Sequence, residues 1–210
     1  MIRAFVRLNP YRGHRTVKHF YRWFVLKFFL VLALTALDLS LCGMRSPAHA
    51  QDSIFDNKKI VPFVPSPQFV VDKMIELAGV KQGDVVYDLG SGDGRIVIAA
   101  AKKGARAVGF DIDSDLVAES RANIKKADVQ ESAEIRHQDI LTVDLSPASV
   151  VTMYLLPDVN LKLKPNLLSQ LKPGSRVVSH SFDMGDWKPD KVERVEGRTI
   201  YLWTIPAQRR

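Results

Sequence analysis

The chain has 210 residues, 46% apolar and 25% charged, enough for one domain with a sizeable core. Its formal charge of +7 looks like a nucleic-acid signature, but eight of its 30 basic residues and only one of its 23 acidic ones lie in residues 1–50. Residues 51–210 therefore balance at 22 of each sign, which leaves no basic footprint for DNA or RNA, and with Cys42 the only cysteine they hold no disulfide, zinc-thiolate site or thiol nucleophile.

Behind a basic flank, Phe28 to Gly43 is apolar apart from Thr35, Asp38 and Ser40, and Ala48-His49-Ala50 follows. A basic region, a short apolar core and an A-x-A ending are the pattern of a secretory signal peptide, with cleavage expected before Gln51. An uncleaved anchor competes with that reading, although a run of about sixteen residues broken by a carboxylate is marginal as a span. Under either reading the positive-inside rule puts the following domain outside the cytoplasm. A third reading lays the basic, aromatic run Phe20 to Phe29 in the interface of an anionic membrane, which alone keeps the domain beside a cytosolic cofactor pool. Leu39-Ser40-Leu41 before Cys42 lacks the small residue that a lipidation signal needs. Residues 1–50 are thus expected to be a signal peptide or N-terminal membrane anchor, residues 51–60 a linker, and residues 61–210 the folded domain, membrane-associated or exported.

Val61-Pro62-Phe63-Val64-Pro65-Ser66-Pro67 is extended, because each proline fixes its own φ and keeps its predecessor out of the helical region. Ser66 is the expected N-cap and Pro67 the first residue of a helix that carries Val70, Val71, Met74, Ile75 and Ala78 on one face and ends at Gly79. Pro62 and Phe63 either form a stiff lead-in to that helix or close over a ligand.

Val85-Val86-Tyr87-Asp88-Leu89-Gly90-Ser91-Gly92-Asp93-Gly94-Arg95, followed by Ile96 to Ala101, reads as strand, tight turn and helix N-terminus. Gly90, Ser91 and Gly92 let the backbone approach a ligand closely. The spacing is G-x-G-x-G rather than the dinucleotide G-x-G-x-x-G. Asp88 and Asp93 would repel a polyphosphate and suit a cation, which favours S-adenosylmethionine, with its ammonium and sulfonium, over NAD or ATP.

Ala105 to Phe110 is a second strand, ending in Asp111, 21 residues after Gly90, where an acid is placed to accept both ribose hydroxyls of an adenosine ligand. Asp113 and Ser114 are read as caps of a helix running to about Lys126. Ala133 to His137 is a third strand. Asp139 behind it either receives an adenine amino group, with Ile112 and Ile140 sandwiching the ring, or is a strand-end turn residue. His137 has no partner at metal-ligand spacing and is read as structural; no metal site is expected. Val150 to Leu156 is a fourth strand whose carboxyl end, Tyr154-Leu155-Leu156-Pro157, should face the reactive part of the ligand. Pro157 opens a helix, Arg176 to Ser181 is a fifth strand, and Val192 to Val195 with Arg198 to Ile205 form a closing hairpin about Glu196-Gly197.

Five strand–helix units closed by an antiparallel hairpin resemble the seven-strand, class I S-adenosylmethionine-dependent methyltransferases, an α/β, Rossmann-like, doubly wound and mostly parallel sheet. The likeness runs from Val61 to Ile205 through Asp88-Leu89-Gly90-Ser91-Gly92-Asp93-Gly94, Asp111 and Asp139. More narrowly, Val61 to Pro67 together with Tyr154-Leu155-Leu156-Pro157 resembles the small membrane-associated protein-lysine methyltransferases, whose mitochondrial members modify the ATP synthase c-subunit and the adenine nucleotide translocase. That resemblance implies lysine methylation of a membrane protein. The chain lacks the Asn-Pro-Pro-Tyr motif of enzymes acting on planar nitrogens, and its N-terminus looks like an export signal, unlike those relatives.

The mechanism expected is direct methyl transfer to a neutral amine, with orientation supplying most of the acceleration and no general base assigned. Phe63, Tyr154, Leu156 and Pro157, with Pro62, are the expected substrate mouth, and Tyr154 either positions the amine or packs the core. Competing readings are a lipid or quinone methyltransferase, a silent cofactor-binding module and, weakened by the glycine spacing, an NAD-dependent oxidoreductase.

Overall fold

A computed structural model describes residues 63–207. Pro62, Cys42, the 51–60 linker and the expected signal or anchor in residues 1–50 lie outside the described residues.

Seven strands form one sheet: β1 Val85–Leu89, β2 Arg106–Asp111, β3 Ala133–His137, β4 Val150–Met153, β5 Arg176–His180, β6 Lys191–Val195 and β7 Arg198–Thr204. Their order is β3-β2-β1-β4-β5-β7-β6, with β1 to β5 parallel and β7 antiparallel to both β5 and β6. Among the described residues the helices are α1 Gln68–Leu77, α2 Arg95–Lys102, α3 Ser114–Lys126 and α4 Pro157–Gln170. The order runs outward from β1 in one direction through β2 and β3 and in the other through β4 and β5, so the switch point lies between β1 and β4, where a doubly wound sheet holds its ligand.

Side chains alternate across the strands, and both faces are covered, so the strands read as near-continuous apolar runs. Val86, Ala107, Ile135, Val150 and Val178 pack under Val70, Val71, Met74, Ile75, Ile96, Val97 and Val117 from α1, α2 and α3. On the opposite face Tyr87, Leu89, Val108, Phe110, Val151 and Val177 pack against Val159, Leu163 and Leu167 of α4. Burying each large apolar side chain contributes about 1.5 to 3 kcal/mol relative to exposure.

The β6–β7 hairpin turns through Glu196 at φ 46° and Gly197 at φ 75°, two left-handed residues as a type I′ turn requires. At the amino ends of the strands, Asp84 accepts from Ser149 Oγ (2.8 Å) and from the Lys81 N–H (3.0 Å) and pairs with Arg176, whose guanidinium also donates to Ala78 C=O (2.7 Å). Burial works against the Asp84 charge, but these donors outweigh it and hold its carboxyl below the usual range.

Three of the boundaries that differ from expectation bear on the site. The fourth strand ends at Met153, opposite Leu89, the last residue of β1, and Ser179 of β5; Tyr154 and Leu155 leave the sheet and Leu156 becomes the N-cap position of α4, its carbonyl accepting from Val159 and Asn160. The first helix starts one residue late. Pro67 occupies the cap position with its carbonyl on Val70 and Val71, and the Ser66 hydroxyl bonds His180 instead of capping. The fifth strand stops at His180, since Ser181 has φ 67°.

Candidate active site

The turn between β1 and α2 folds over the end of β2: the Gly90 and Ser91 N–H groups both donate to Phe110 C=O, at 2.9 and 3.0 Å, and the Gly94 N–H donates to Ser91 C=O at 2.9 Å. Gly90 and Gly92 have φ of 78° and 52°. A Cβ on Gly90 would meet Leu155 Cδ2 at 2.7 Å and one on Gly92 would meet the Phe63 ring at 2.3 Å, so both neighbours sit directly on the loop backbone.

That loop forms one wall of a cavity of about 450 Å³, within the range of small-molecule sites. Asp88, Gly90, Ser91, Gly92, Asp111, Ile112, Asp139, Ile140, Tyr154 and Phe63, all singled out by the sequence, line it. Leu156 and Pro157 do not. Once β4 ends at Met153 the strand alternation is lost, and Leu155 faces the loop while Leu156 and Pro157 are exposed.

Asp88 on β1 is buried at 2% exposure, and its Oδ1 accepts from Thr152 Oγ1 at 2.7 Å across the β1–β4 register. Among the described residues Oδ2 has no partner, nor does the buried Ser91 Oγ. Burial, opposed by the Thr152 bond and reinforced by the charges of Asp111 and Asp93, pushes the Asp88 carboxyl up to about 7. An unpaired carboxylate oxygen in a cavity wall is costly alone and strongly favours a cationic donor.

Asp111 closes the loop onto β2. Its Oδ2 accepts from the Gly92 N–H at 2.8 Å and its Oδ1 from the N–H groups of Ile112 and Asp113 at 2.8 and 3.0 Å. A carboxylate offers about four acceptor sites, so three backbone bonds leave room for one ribose hydroxyl, where the sequence suggested two. Asp113 caps α3, accepting from Asp115 at 3.0 Å and Leu116 at 3.4 Å. Asp139 is a turn residue, as one of its two expected roles had it: it accepts from the Leu141 N–H at 3.0 Å, as cap of the 3₁₀ turn Ile140–Thr142, and it also lies in the cavity wall. His137 Nε2 pairs with Ile112 C=O at 2.9 Å.

Asp93 departs from its expected role. Arg95, two residues on, binds it with Nε at 2.9 and 3.1 Å and also through Nη2, so its charge is matched within the loop. Arg95 Nη1 also donates to Ser66 C=O at 2.7 Å, tying the Phe63–Ser66 segment across the loop. The Ser66 hydroxyl lies 2.8 Å from His180 Nδ1, and the His180 ring lies against Tyr154 with centroids 4.0 Å apart. The Phe182 ring stacks on Tyr154 at 6.3 Å and 17°. Between them the Phe182 N–H bonds His180 C=O at 2.9 Å across Ser181, a γ-turn through a non-glycine residue at positive φ. Such a turn costs roughly 1 to 3 kcal/mol. Buried Asn160 of α4 holds it by donating to Ser179 Oγ and to the carbonyls of Phe182 and Asp183, all at 3.3 Å. Ser66, Arg95, Leu155, His180 and the cavity-lining Lys162 carry no mark of this role in the sequence.

Residues 88–191 match the ANTKMT methyltransferase domain. A protein-lysine N-methyltransferase of Saccharolobus islandicus is 49% identical over 151 residues, which cover 69% of this chain and 94% of that protein. The chain belongs to this methyltransferase family. The lysine N-methyltransferase of the ATP synthase c-subunit from Mus musculus is 35% identical over 72% of this chain, and the match spans 61% of the mouse protein. The crystal structure of a Salinibacter ruber RNA methyltransferase with S-adenosyl-L-homocysteine is 56% identical, covers 70% of this chain and 97% of that one, and superposes with a TM-score of 0.68.

The chain is an S-adenosylmethionine-dependent methyltransferase, and the cavity fits that cofactor on its own chemistry. Asp88 Oδ2 is a buried oxygen awaiting a donor, which an ammonium supplies. The glycine backbone admits close approach, and Ile112 and Ile140 offer apolar walls to a purine.

Proposed function

We propose that this methyltransferase acts on the ε-amine of lysine in a membrane-associated protein, and that residues 1–50 deliver it to the membrane. The observation that carries the reading is the asymmetry of the cavity. Asp88 in β1, Asp111 at the end of β2 and Asp139 after β3 lie on one side of the switch point, whereas Tyr154 and Leu155 follow β4 on the other, with Phe63 lying over Gly92. One side suits a cationic, hydroxylated cofactor; the other is apolar and aromatic, with Lys162 of α4 also lining the cavity. The names of the Saccharolobus and mouse relatives, both lysine methyltransferases, support the same reading.

The cofactor supplies a methyl group on a sulfonium, activated for direct displacement. Asp88 would hold its ammonium, Asp111 a ribose hydroxyl and Asp139 the adenine amino group, with Ile112 and Ile140 flanking the ring. Phe63, Tyr154 and Leu155 make a low-polarity approach in which a lysine is favoured as the neutral amine. Aligning that nitrogen with the methyl group is the main catalytic contribution asked of the protein. No side chain is assigned as a general base.

The Salinibacter relative, named as an RNA methyltransferase, favours a second reading in which the acceptor is RNA. Against it stand the balanced charge of residues 51–210 and the absence of Asn-Pro-Pro-Tyr after the fourth strand. The test is to incubate the full chain with labelled S-adenosylmethionine and a fractionated lysate of the source cell. Lysine methylation puts the label in acid-precipitable material that resists ribonuclease and is sensitive to protease. Ribonuclease-sensitive label would move the substrate to RNA, and label in the organic phase would move it to a lipid or quinone. Bound cofactor with no turnover on any fraction would favour a silent module. For residues 1–50, the expected result is that the full chain sediments with membranes and a chain beginning at Gln51 does not.

A further inference from the structure

The cofactor loop and the amine side of the cavity are far apart in sequence, yet one buried side chain touches elements of both. β4 and β5 run parallel with Met153 opposite Ser179, so the next residues, Tyr154 and His180, emerge side by side at the carboxyl end of the sheet. Tyr154 lines the cavity, whereas His180 lies behind it, fully buried, its ring packed on the tyrosine. Through Nδ1 it meets the Ser66 hydroxyl, and the Ser66 carbonyl is held by Arg95, which is itself fixed to Asp93 in the glycine loop. Asn123 Nδ2 donates to Asp93 C=O at 3.0 Å and anchors the far end of the chain.

Two further observations mark this as a built arrangement rather than ordinary packing. His180 Nε2 is buried without a partner among the described residues, and the γ-turn at Ser181 is a strained conformation held by Asn160 and Ser179, whose Oγ donates to Phe182 C=O at 2.6 Å. A leucine or phenylalanine would fill a purely structural position without burying an unsatisfied nitrogen. The turn also brings Phe182 onto Tyr154, so the tyrosine has two aromatic neighbours supplied by one three-residue segment. Burial, with the nearby Arg198 charge adding to it, holds the imidazole neutral, down to about 4, so it can offer Ser66 a neutral donor or acceptor throughout the physiological range.

We propose that His180 is a positioning residue for methyl transfer: it links the Phe63–Ser66 segment over the glycine loop to the Tyr154 ring, so that seating the cofactor and shaping the acceptor pocket are one event. It touches neither cofactor nor acceptor and acts through Ser66 and Tyr154. The inference rests on the methyltransferase site alone and not on the lysine reading, because any acceptor must pass Tyr154.

The test measures S-adenosylhomocysteine affinity by calorimetry, together with the transfer rate at saturating cofactor into whichever fraction the wild type labels. Ser66→Ala and His180→Phe each cut the same bond, so each should weaken cofactor affinity about fivefold, the loss of one hydrogen bond, and the double variant should weaken it no further. His180→Asn restores a polar partner for Ser66 but removes the ring behind Tyr154; affinity should return to within about twofold of wild type while the saturated rate stays about tenfold down. A purely structural role would not split affinity from rate in this way. Additive losses in the double variant, or His180→Asn and Ser66→Ala both transferring at the wild-type saturated rate, would overturn the proposal. Should His180→Phe fail to fold, Ser66→Ala and His180→Asn carry the test alone. If the label falls on RNA or lipid, the lysine reading fails while these ratios still decide the role of His180.

Discussion

Asp88 and Thr152 face each other across β1 and β4 at the switch point, and their 2.7 Å hydrogen bond satisfies one carboxylate oxygen while the other has no partner among the described residues. The pair places an ionisable group, pushed up to about 7 chiefly by burial, in the wall that receives a cationic cofactor. Below about pH 7 the carboxyl holds its proton in the ligand-free protein, and a cationic ligand must displace it. Cofactor affinity should therefore rise as pH rises through about 7, with proton release on binding below that pH, measurable by calorimetry in buffers of different ionisation enthalpy. The folded carboxyl binds its proton more tightly than the unfolded one at 3.8, so the ligand-free protein should lose stability between about pH 4 and pH 7. Asp88→Asn keeps an acceptor for Thr152 and should abolish both dependences.

Asp111 holds the loop as well as facing the cavity. Asp111→Ala removes an acceptor from the N–H groups of Gly92, Ile112 and Asp113, so it should lower unfolding stability by about 2 kcal/mol besides weakening the cofactor. Denaturant melts and calorimetry with S-adenosylhomocysteine read the two effects separately. A change in affinity alone would mean that the loop does not depend on these bonds.

Gly92→Ala places a Cβ 2.3 Å from the Phe63 ring, at a φ of 52°. The backbone conformation alone should cost about 1 to 2 kcal/mol, and the ring must move off the loop. Cofactor affinity should fall, and Phe63→Ala in the same chain should recover part of it. A loss unchanged by Phe63→Ala would assign the whole effect to the backbone.

Arg176 lies at the amino end of β5, away from the cavity, and pairs with Asp84 while donating to Ala78 C=O. Arg176→Met should cost about 3 kcal/mol of stability by leaving a poorly exposed carboxylate without its cation. Cofactor affinity of the folded variant should not change, which calorimetry below the melting transition checks.

The parts of this molecule legible in its sequence are those whose chemistry acts over a few residues. Asp88, Gly90, Gly92 and Asp111 stand out because a strand, a glycine turn and an acid at the next strand end must follow one another in order, and the hairpin about Glu196-Gly197 shows its turn type in two residues. Alternation carried past the end of β4 selects Leu156 over Leu155, because that end coincides with the last residue of β1, the strand beside it, and carries no local signal. Ser66 looks like a cap because its rival partner, His180, stands 114 residues away. Asp93 reads as a charge offered to the ligand, although Arg95 is only two positions on; the fork geometry of that pair appears only once the turn is folded.

The most direct measurement is amino-acid analysis of the label itself. The full chain is incubated with methyl-labelled S-adenosylmethionine and membranes of the source cell, beside Asp88→Ala, and the protein fraction is acid-hydrolysed. The predicted result is label migrating as methylated lysine in the wild type and absent with Asp88→Ala. Label recovered only as another methylated residue, or only outside protein, would contradict the assignment of lysine as the acceptor.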